Sequence, residues 1–427
     1  MTGAALQQRT QPSFVVDSVV FQHAEEAIQL WNTRRSLTSA PHVTLRHLRS
    51  ADERLEAHLD GLAVAGERAW TFCEAALDPP TSGALFVAAL RAIDAKDSAR
   101  VERLVTLAKE EPTLIEGLVS ALGWLDAEQL PRLAGALLAS REPISRTLGL
   151  GACSVHRVDP GQLDRSLEAD TPPPARARAL RLVGELGLTQ FLAVCTAAVD
   201  DEDPDSRFWG AWSAVLLGDR SRAMHALRAM ATVPSPDRER AMRLVFQAVE
   251  PEVAQATLRQ LAQDPTHLRW VIEGAGLAGD PMYVPWLIKQ MAEESVARIA
   301  AEALATITGL DLFQGFEMQR PEGAEAGATD EPADENVEMD ADEGLPWPDV
   351  EKIRRWWASN AGRFQPGVRY FSGAPLSRAH CIEVLKSGYQ RQRILAAHYL
   401  CLLEPGMPLF NTSAPARRQE LLLAEIA

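Results

Sequence analysis

The stretch Asp203-Pro-Asp-Ser-Arg-Phe-Trp-Gly-Ala-Trp-Ser-Ala-Val-Leu-Leu-Gly218 decides the fold of this 427-residue chain. Four of its apolar residues recur at positions i, i+3, i+4 and i+7, the spacing of one helical face: Phe208, Ala211, Trp212 and Val215. Proline is favoured in the first turn of a helix and glycine just after the last, so Pro204 and Gly218 mark the two ends. The stretch therefore predicts a short amphipathic helix with one buried face.

A second helix follows a tight turn. Asp219 can cap it, and the apolar pattern continues through Met224, Leu227 and Ala231. A helical hairpin of this length cannot bury its apolar face alone, so it must stack on neighbours of the same kind.

The hairpin pattern repeats over residues 79–313. Seven prolines are separated by 32, 31, 30, 31, 32 and 29 residues: Pro80, Pro112, Pro143, Pro173, Pro204, Pro236 and Pro265. Glycine-containing turns follow many of them, as in the ranges 122–126, 183–187 and 276–280, where glycine supplies a left-handed helix cap. Aligned by this period, Leu227 matches Leu258 and Leu287, each at the apolar centre of a second helix.

Strand signals are almost absent, because no stretch sustains apolar residues at every second position. We therefore predict an all-α protein, an α-solenoid of HEAT-like helical hairpins. The predicted parts are an N-terminal helical cap over 12–76, a solenoid of about seven or eight hairpins of ~30 residues over 77–313, an acidic flexible loop over 314–345, and a C-terminal helical unit over 346–427 that completes the solenoid.

The formal charge of −15 is concentrated in one segment. Between Glu317 and Glu343 there are eleven acidic residues and one basic residue, Arg320. Few large apolar residues accompany them, so disorder is expected. The segment is interpreted as a solvated linker, as an arm for a basic partner, or as a mask over a basic groove of its own chain.

The repeat resembles HEAT and HEAT-like repeats, with proline near the start of each unit and Leu217-Gly-Asp219 at the turn. By this resemblance Asp203, Arg207 and Asp219 stitch neighbouring repeats together. The runs 57–66 and 335–348, followed by Trp356-Trp357, resemble an uncharacterised bacterial HEAT-repeat family encoded beside type VI secretion components. The resemblance implies a fold and a context but no catalytic motif.

Sequence motifs for phosphate loops, dinucleotide binding, nucleophile elbows and metalloproteases are absent, and we expect no enzyme and no cofactor. Two groups were weighed as metal ligands and not favoured. The first is Asp52, Glu53, Glu56, His58 and Asp60, and the second is His380, Cys381, His398 and Cys401. The C-terminal unit is the most basic region and also carries aromatic residues, which fits either an acidic partner or an ordinary helix surface. Its basic residues are Arg354, Arg355, Arg363, Arg369, Arg391 and Arg393.

Five scattered cysteines without a C-x-x-C motif favour a reducing cytoplasm. The first twelve residues lack the features of a secretory signal, and no apolar run is long enough to span a membrane. The acidic balance argues against nucleic-acid binding.

The leading hypothesis is a non-enzymatic scaffold that holds another protein along the concave face made by its second helices. Helical spacing places four residues outward on that face: Arg222, His225, Gln260 and Lys289. The alternatives are a HEAT-like DNA glycosylase, a bilin-lyase-like enzyme that needs an exposed cysteine, and an immunity protein that neutralises one toxin.

Overall fold

The computed structural model describes residues 15–126, 128–161, 163–321, 340 and 342–426. By their contacts these residues form two compact units. Unit 1 comprises residues 15–34 and 50–125, and unit 2 comprises residues 35–49 and the described residues from 126 onwards. The domain boundaries predicted from the sequence divide the chain by repeat pattern and composition. The contact-based units do not test them, so they stay a prediction.

The described residues form 22 α-helices. In chain order they are α1 (Asp17–Leu37), α2 (Leu45–Ala65), α3 (Glu67–Ala75), α4 (Ser82–Asp94), α5 (Ser98–Glu110), α6 (Ile115–Trp124), α7 (Leu130–Ala139), α8 (Pro143–His156), α9 (Asp164–Leu167), α10 (Pro173–Leu186), α11 (Leu192–Ala197), α12 (Pro204–Leu216), α13 (Arg222–Ala231), α14 (Arg238–Ala248), α15 (Pro251–Leu261), α16 (Leu268–Ala278), α17 (Val284–Gln290), α18 (Ala297–Thr308), α19 (Val350–Asn360), α20 (Arg378–Ser387), α21 (Gln390–Leu403) and α22 (Ala416–Glu425).

Two antiparallel pairs of two-residue strands accompany the helices in unit 2. Strand β1 (Glu317–Met318) pairs with β2 (Trp347–Pro348), and β3 (Tyr370–Phe371) pairs with β4 (Ala374–Pro375). Both pairs lie outside the predicted repeat region. The predicted all-α class is confirmed, whereas the solenoid stays a prediction.

Alternate helices of unit 2 pack on one another in chain order. Helix α10 packs on α8 and α12, and the row continues through α14, α16 and α18. We call these six the first helices. The helices that alternate with them, α11, α13, α15 and α17, each pack on a first helix and are called the second helices.

The prolines begin helical segments as their spacing predicts. Five stand at the first position of an α-helix or of a short 3-10 turn: Pro112, Pro143, Pro173, Pro204 and Pro265. Pro80 and Pro236 lie two residues before α4 and α14. The aligned leucines of the second helices are buried, with 0% of Leu227, 4% of Leu258 and 0% of Leu287 exposed.

Glycine caps occur at helix ends, where the chain changes direction. Gly187 and Gly279 end α10 and α16 in the left-handed conformation, with φ of 68° and 74°. Gly123 differs from the prediction because it lies inside α6, which ends without a left-handed residue. A glycine beside a helix end therefore does not by itself identify the capping position.

Of the three residues that the HEAT resemblance marks as structural, Asp219 links to the preceding helix pair by accepting from the Thr196 hydroxyl of α11 at 3.2 Å. Their other contacts are local. The Asp203 carboxylate caps α12 by accepting from the Ser206 amide at 2.7 Å, and the Asp219 carboxylate accepts from the Ser221 amide at 2.7 Å. Arg207 donates to the Asp201 carbonyl of its own turn at 2.8 Å. A longer link joins Arg176 of α10 to the Asp201 carboxylate, at 2.8 Å.

The C-terminal part of unit 2 runs along the carboxyl ends of the first helices. We call residues 367–412 the clasp. Its donors reach carbonyls at the ends of five first helices: Asn411 to Val155 of α8 at 2.9 Å, Leu409 to Glu185 of α10 at 2.9 Å, Arg369 to Val249 after α14 at 2.6 Å, Tyr370 to Gly279 after α16 at 2.8 Å, and Ser372 to Thr306 of α18 at 2.7 Å. Such carbonyls have no partner within their own helix. The clasp thus supplies the missing hydrogen bonds.

Helix α21 of the clasp also packs on α12 and α14. The sequence predicts two helices between Leu376 and Leu403 that break near Gly388, and α20 and α21 confirm this. Residues 12–14 of the predicted cap, and 322–339 and 341 of the predicted acidic loop, lie outside the described residues.

Candidate functional site

The four residues predicted to contact a partner lie on three second helices. Arg222 and His225 belong to α13, Gln260 to α15 and Lys289 to α17, and all four are exposed. Arg222 forms an ion pair with Asp200, which is also exposed. The structure thus gives each residue the outward direction that helical spacing predicts, while a role in binding stays a prediction.

A second candidate is a cavity in unit 2 that the sequence does not predict. It has a volume of about 370 Å³ and lies among α14, α16, α18 and the start of α21. Its lining combines apolar and charged side chains. The apolar ones include Met242, Ile299, Leu312, Phe313, Leu345 and Leu395, and the charged ones are Glu239, Arg243, Arg269, Glu273, Glu302 and Arg391.

Two of the cavity arginines are held by ion pairs. Arg391 Nη1 lies 2.8 Å from Glu302 Oε2, and its Nε donates to the Ser39 carbonyl at 3.0 Å. Arg269 Nε lies 3.3 Å from Glu273 Oε1, and its other nitrogens bind both oxygens of Asp342. These contacts fix the positions of both guanidinium groups.

Burial changes the protonation of the cavity carboxyls. It raises the pKa of Glu273 to about 7, although Arg269 acts in the opposite direction. Burial also raises the pKa of Glu302, against the influence of Arg391. Perturbed carboxyls inside a cavity are typical of binding sites, although structural ion-pair networks show them too.

The end of the acidic segment reaches the same helices. Asp340 binds Arg298 at 2.7 Å, and this contact lowers the pKa of the Asp340 carboxyl. Asp342 binds Arg269 and is buried. Two acids at the end of the segment thus pair with arginines of their own chain, which is compatible with one of the three interpretations.

A third group of charges surrounds Glu185 at the end of α10. Ser154 donates to its carboxylate, Arg181 Nε lies 2.9 Å away and Arg157 Nη1 lies 3.5 Å away. Burial alone would raise the pKa of Glu185, but Arg181, Arg157 and Arg178 together lower it. Burial lowers the pKa of Arg178 to about 10. The cluster contains more positive than negative charge.

The residues weighed as metal ligands have protein partners instead. His58 Nδ1 lies 3.1 Å from His23 Nδ1, and His380 Nε2 lies 2.8 Å from the Phe371 carbonyl. His398 Nδ1 lies 3.2 Å from Gln247 Oε1, and the Cys401 thiol donates to the Met407 carbonyl at 3.4 Å. Within the described ranges, no group of three or more His, Cys, Asp or Glu side chains is placed to hold a metal ion.

All five cysteines are buried. Burial raises the pKa of their thiols, to about 11 for Cys73 and Cys153 and to about 12 for Cys195, Cys381 and Cys401. The thiolate is the reactive form of cysteine, so these side chains are poor nucleophiles.

The basic C-terminal residues divide into two kinds. Arg393 is fully buried and donates to the Leu385 carbonyl at 2.7 Å, while Arg369 belongs to the clasp. Arg354 and Arg363 are exposed on or next to α19. The region is therefore not one continuous basic surface.

Sequence reasoning missed the cavity although a signal for it exists. Three first helices carry an acid and an arginine four residues apart: Glu239 and Arg243, Arg269 and Glu273, and Arg298 and Glu302. Such pairs are common on solvent-exposed helix faces. Their recurrence on consecutive first helices is the feature that distinguishes them.

Comparisons with protein-family models, with curated proteins and with solved structures gave no match. None of the helices in the described ranges has the length and apolar character needed to span a membrane.

Proposed function

We propose that the protein is a non-enzymatic scaffold or adaptor that binds another protein along its second helices. The observation that carries this proposal is the division of three second helices, α13, α15 and α17, into two faces. Leu227, Leu258 and Leu287 are buried, whereas polar residues of the same helices are exposed. A series of similar helices with polar outer faces suits an extended protein partner.

The first-helix side of unit 2 supports the same choice of surface. Helix α21 packs on α12 and α14, so part of that side is occupied by the chain itself. The second helices α13, α15 and α17 carry the exposed row Arg222, His225, Gln260 and Lys289. This row includes basic side chains, which favour an acidic or polar partner surface.

The resemblance to a bacterial HEAT-repeat family defines the proposed setting. In this proposal the protein works in the bacterial cytoplasm and serves a type VI secretion system, as a component or by binding an effector or toxin. An immunity protein is a narrower form of the same proposal, since it differs by having a single tight partner.

The enzyme alternatives lack supporting geometry among the described residues. A bilin-lyase-like reaction needs an exposed, reactive cysteine, whereas all five thiols are buried and have raised pKa values. A DNA glycosylase of this type needs a basic groove for the phosphate backbone. The cavity of unit 2 instead carries as many glutamates as arginines.

The proposal is tested by co-purification of the full chain with type VI secretion components, effectors and toxins. We expect Arg222→Glu and Lys289→Glu, made together, to weaken capture of the partner by at least about tenfold while Tm stays within about 2 °C of the wild type. A full-strength complex with this variant would refute the assigned surface.

Arg103→Glu is the matched control for Arg222→Glu. Both arginines are exposed, with 57% and 53% of the side chain accessible, and both form an ion pair with an exposed acid. Arg103 lies on α5 in unit 1, whereas the proposed surface belongs to unit 2. An equal loss of capture in both variants would indicate a general effect of charge instead of a defined surface.

A further inference from the structure

Two charged side chains of the cavity in unit 2 have no ion pair or hydrogen bond among the described residues. They are Glu239 and Arg243, one turn apart on α14. They interact electrostatically, yet none of their nitrogen–oxygen distances is within 4 Å. The other cavity arginines, Arg269 and Arg391, already have carboxylate partners.

An arginine without a partner in a partly buried position is costly. Arg243 is half-buried, and burial lowers the pKa of its guanidinium. Charged groups removed from water are stable mainly when a counter-charge or hydrogen-bond acceptor replaces the lost hydration. The position therefore suits a ligand that brings an acceptor to Arg243.

The neighbouring acids restrict what such a ligand can be. Glu239, Glu273 and Glu302 all contribute to the electrostatic field around this part of the cavity. A ligand with only a carboxylate would meet Arg243 but would be repelled by these acids. A ligand with only an ammonium group would be repelled by Arg243. A small zwitterion satisfies both, because its opposite charges lie close together.

The remaining lining defines the rest of the ligand. Met242, Phe313 and Leu395 provide apolar surface beside the charges. A volume of about 370 Å³ is near the lower end for small-molecule sites and is sufficient for an amino acid with an apolar side chain.

We propose that this cavity binds a free α-amino acid with an apolar side chain. Its carboxylate accepts from Arg243, its ammonium group donates to Glu239 and the free oxygen of Glu273, and its side chain packs on the apolar lining. The proposal is independent of the scaffold function, because it concerns a small-molecule site on the first-helix side.

Calorimetric titration of the full chain with L-leucine, L-methionine and L-phenylalanine tests the proposal. Two analogues of leucine separate its charges: 4-methylpentanoate lacks the amine, and 3-methylbutylamine lacks the carboxylate. We expect binding of at least one of the amino acids and at least about tenfold weaker binding of the corresponding single-charge analogue. The analogues of methionine are 4-(methylthio)butanoate, without the amine, and 3-(methylthio)propylamine, without the carboxylate. Those of phenylalanine are 3-phenylpropanoate and 2-phenylethylamine.

Substitutions on α14 complete the test. Arg243→Met and Glu239→Gln should each weaken amino-acid binding by at least about tenfold. Arg240→Met is the matched control, since Arg240 is an exposed arginine of the same helix that does not line the cavity, and it should leave binding unchanged. Circular dichroism verifies that each variant is folded, and Arg243→Lys, which retains the charge, covers the case in which Arg243→Met does not fold.

Three results would overturn the proposal. The first is the absence of heat and of any rise in Tm with all three amino acids at about 10 mM. The second is equal affinity for an amino acid and its carboxylate analogue, which would indicate an anion site. The third is an unchanged affinity in the folded Arg243→Met variant, or in Arg243→Lys together with Glu239→Gln.

Discussion

Replacing His398 by asparagine should make the protein much less sensitive to acid. His398 lies on α21 with 8% of its surface exposed, and its Nδ1 is 3.2 Å from Gln247 Oε1. The Trp212 ring packs against it with the ring centres 6.1 Å apart. Burial, together with the nearby Arg243, lowers the pKa of this imidazole to about 3.

The sign of the effect follows from proton binding. The unfolded chain takes up a proton near the ordinary histidine pKa of 6.5, whereas the folded protein excludes it until about pH 3. The stability that His398 contributes is therefore complete above pH 6.5 and is lost as the pH falls towards 3. Between pH 7 and pH 4 the loss is roughly 3 kcal/mol, at about 1.4 kcal/mol per pH unit.

Asparagine can still donate to Gln247 Oε1 but does not titrate. Urea unfolding of the wild type and of His398→Asn, followed by circular dichroism at pH 7 and pH 4, measures the difference. The variant is less stable at pH 7 because asparagine is smaller. Its free energy of unfolding should, however, fall by about 3 kcal/mol less between pH 7 and pH 4 than that of the wild type. His225→Asn controls for removal of an exposed histidine. The reasoning is refuted if His398→Asn loses as much stability in acid as the wild type.

Three further substitutions test other parts of unit 2. Glu273→Gln should stabilise the protein by about 2 kcal/mol more at pH 8 than at pH 5. Burial raises the pKa of Glu273 to about 7, so the wild type loses stability as the pH rises from 4.5 through 7, and the glutamine variant does not. Glu185→Gln should lower the free energy of unfolding by about 3–5 kcal/mol, because it removes the buried counter-charge of three half-buried arginines. Glu74→Gln, in an exposed pair, should lower it by less than about 1 kcal/mol. Gly187→Ala should lower the free energy of unfolding by more than the ~1 kcal/mol expected of Gly161→Ala. Both glycines have positive φ, but an added Cβ at Gly187 meets the Gly406 carbonyl, whereas one at Gly161 meets open space. Urea unfolding at the stated pH, or at pH 7 for the last two pairs, measures each change.

Each of these predictions has a result that contradicts it. A pH-independent effect of Glu273→Gln would mean that its carboxyl titrates normally. Equal costs at Glu185 and Glu74 would mean that the buried cluster is better hydrated than its contacts indicate. Equal costs at Gly187 and Gly161 would mean that the clasp moves aside for a methyl group.

The positions of individual helices could be predicted because their signals are local. Pro204 begins its helix, and Leu227, Leu258 and Leu287 are buried, since both features depend on residues within one or two helical turns. The break between α20 and α21 at Gly388 could likewise be predicted, because it depends on the residues around that glycine. The two-residue strands were missed because β1 to β4 are too short to show a period of two.

The clasp and the cavity could not be predicted in the same way. Arg369 donates to carbonyls about 120 residues earlier in the chain, and such a contact leaves no pattern in the local sequence. The ligand site proposed in the cavity depends on Glu239 and Arg243 remaining apart, although their spacing on the helix would allow an ion pair. Both features are properties of the packed helices and not of any one helix.

The clasp changes how the first helices depend on one another. Stacked repeats usually contact only their neighbours, so such proteins can start folding at many points and lose their terminal repeats first. Here residues 369–373 and 409–411 complete hydrogen bonds for five first helices, α8, α10, α14, α16 and α18. During translation these helices are synthesised long before residues 369–373 and 409–411. The carbonyls at their carboxyl ends therefore lack these hydrogen-bond donors until the clasp has been synthesised and has packed onto the helices.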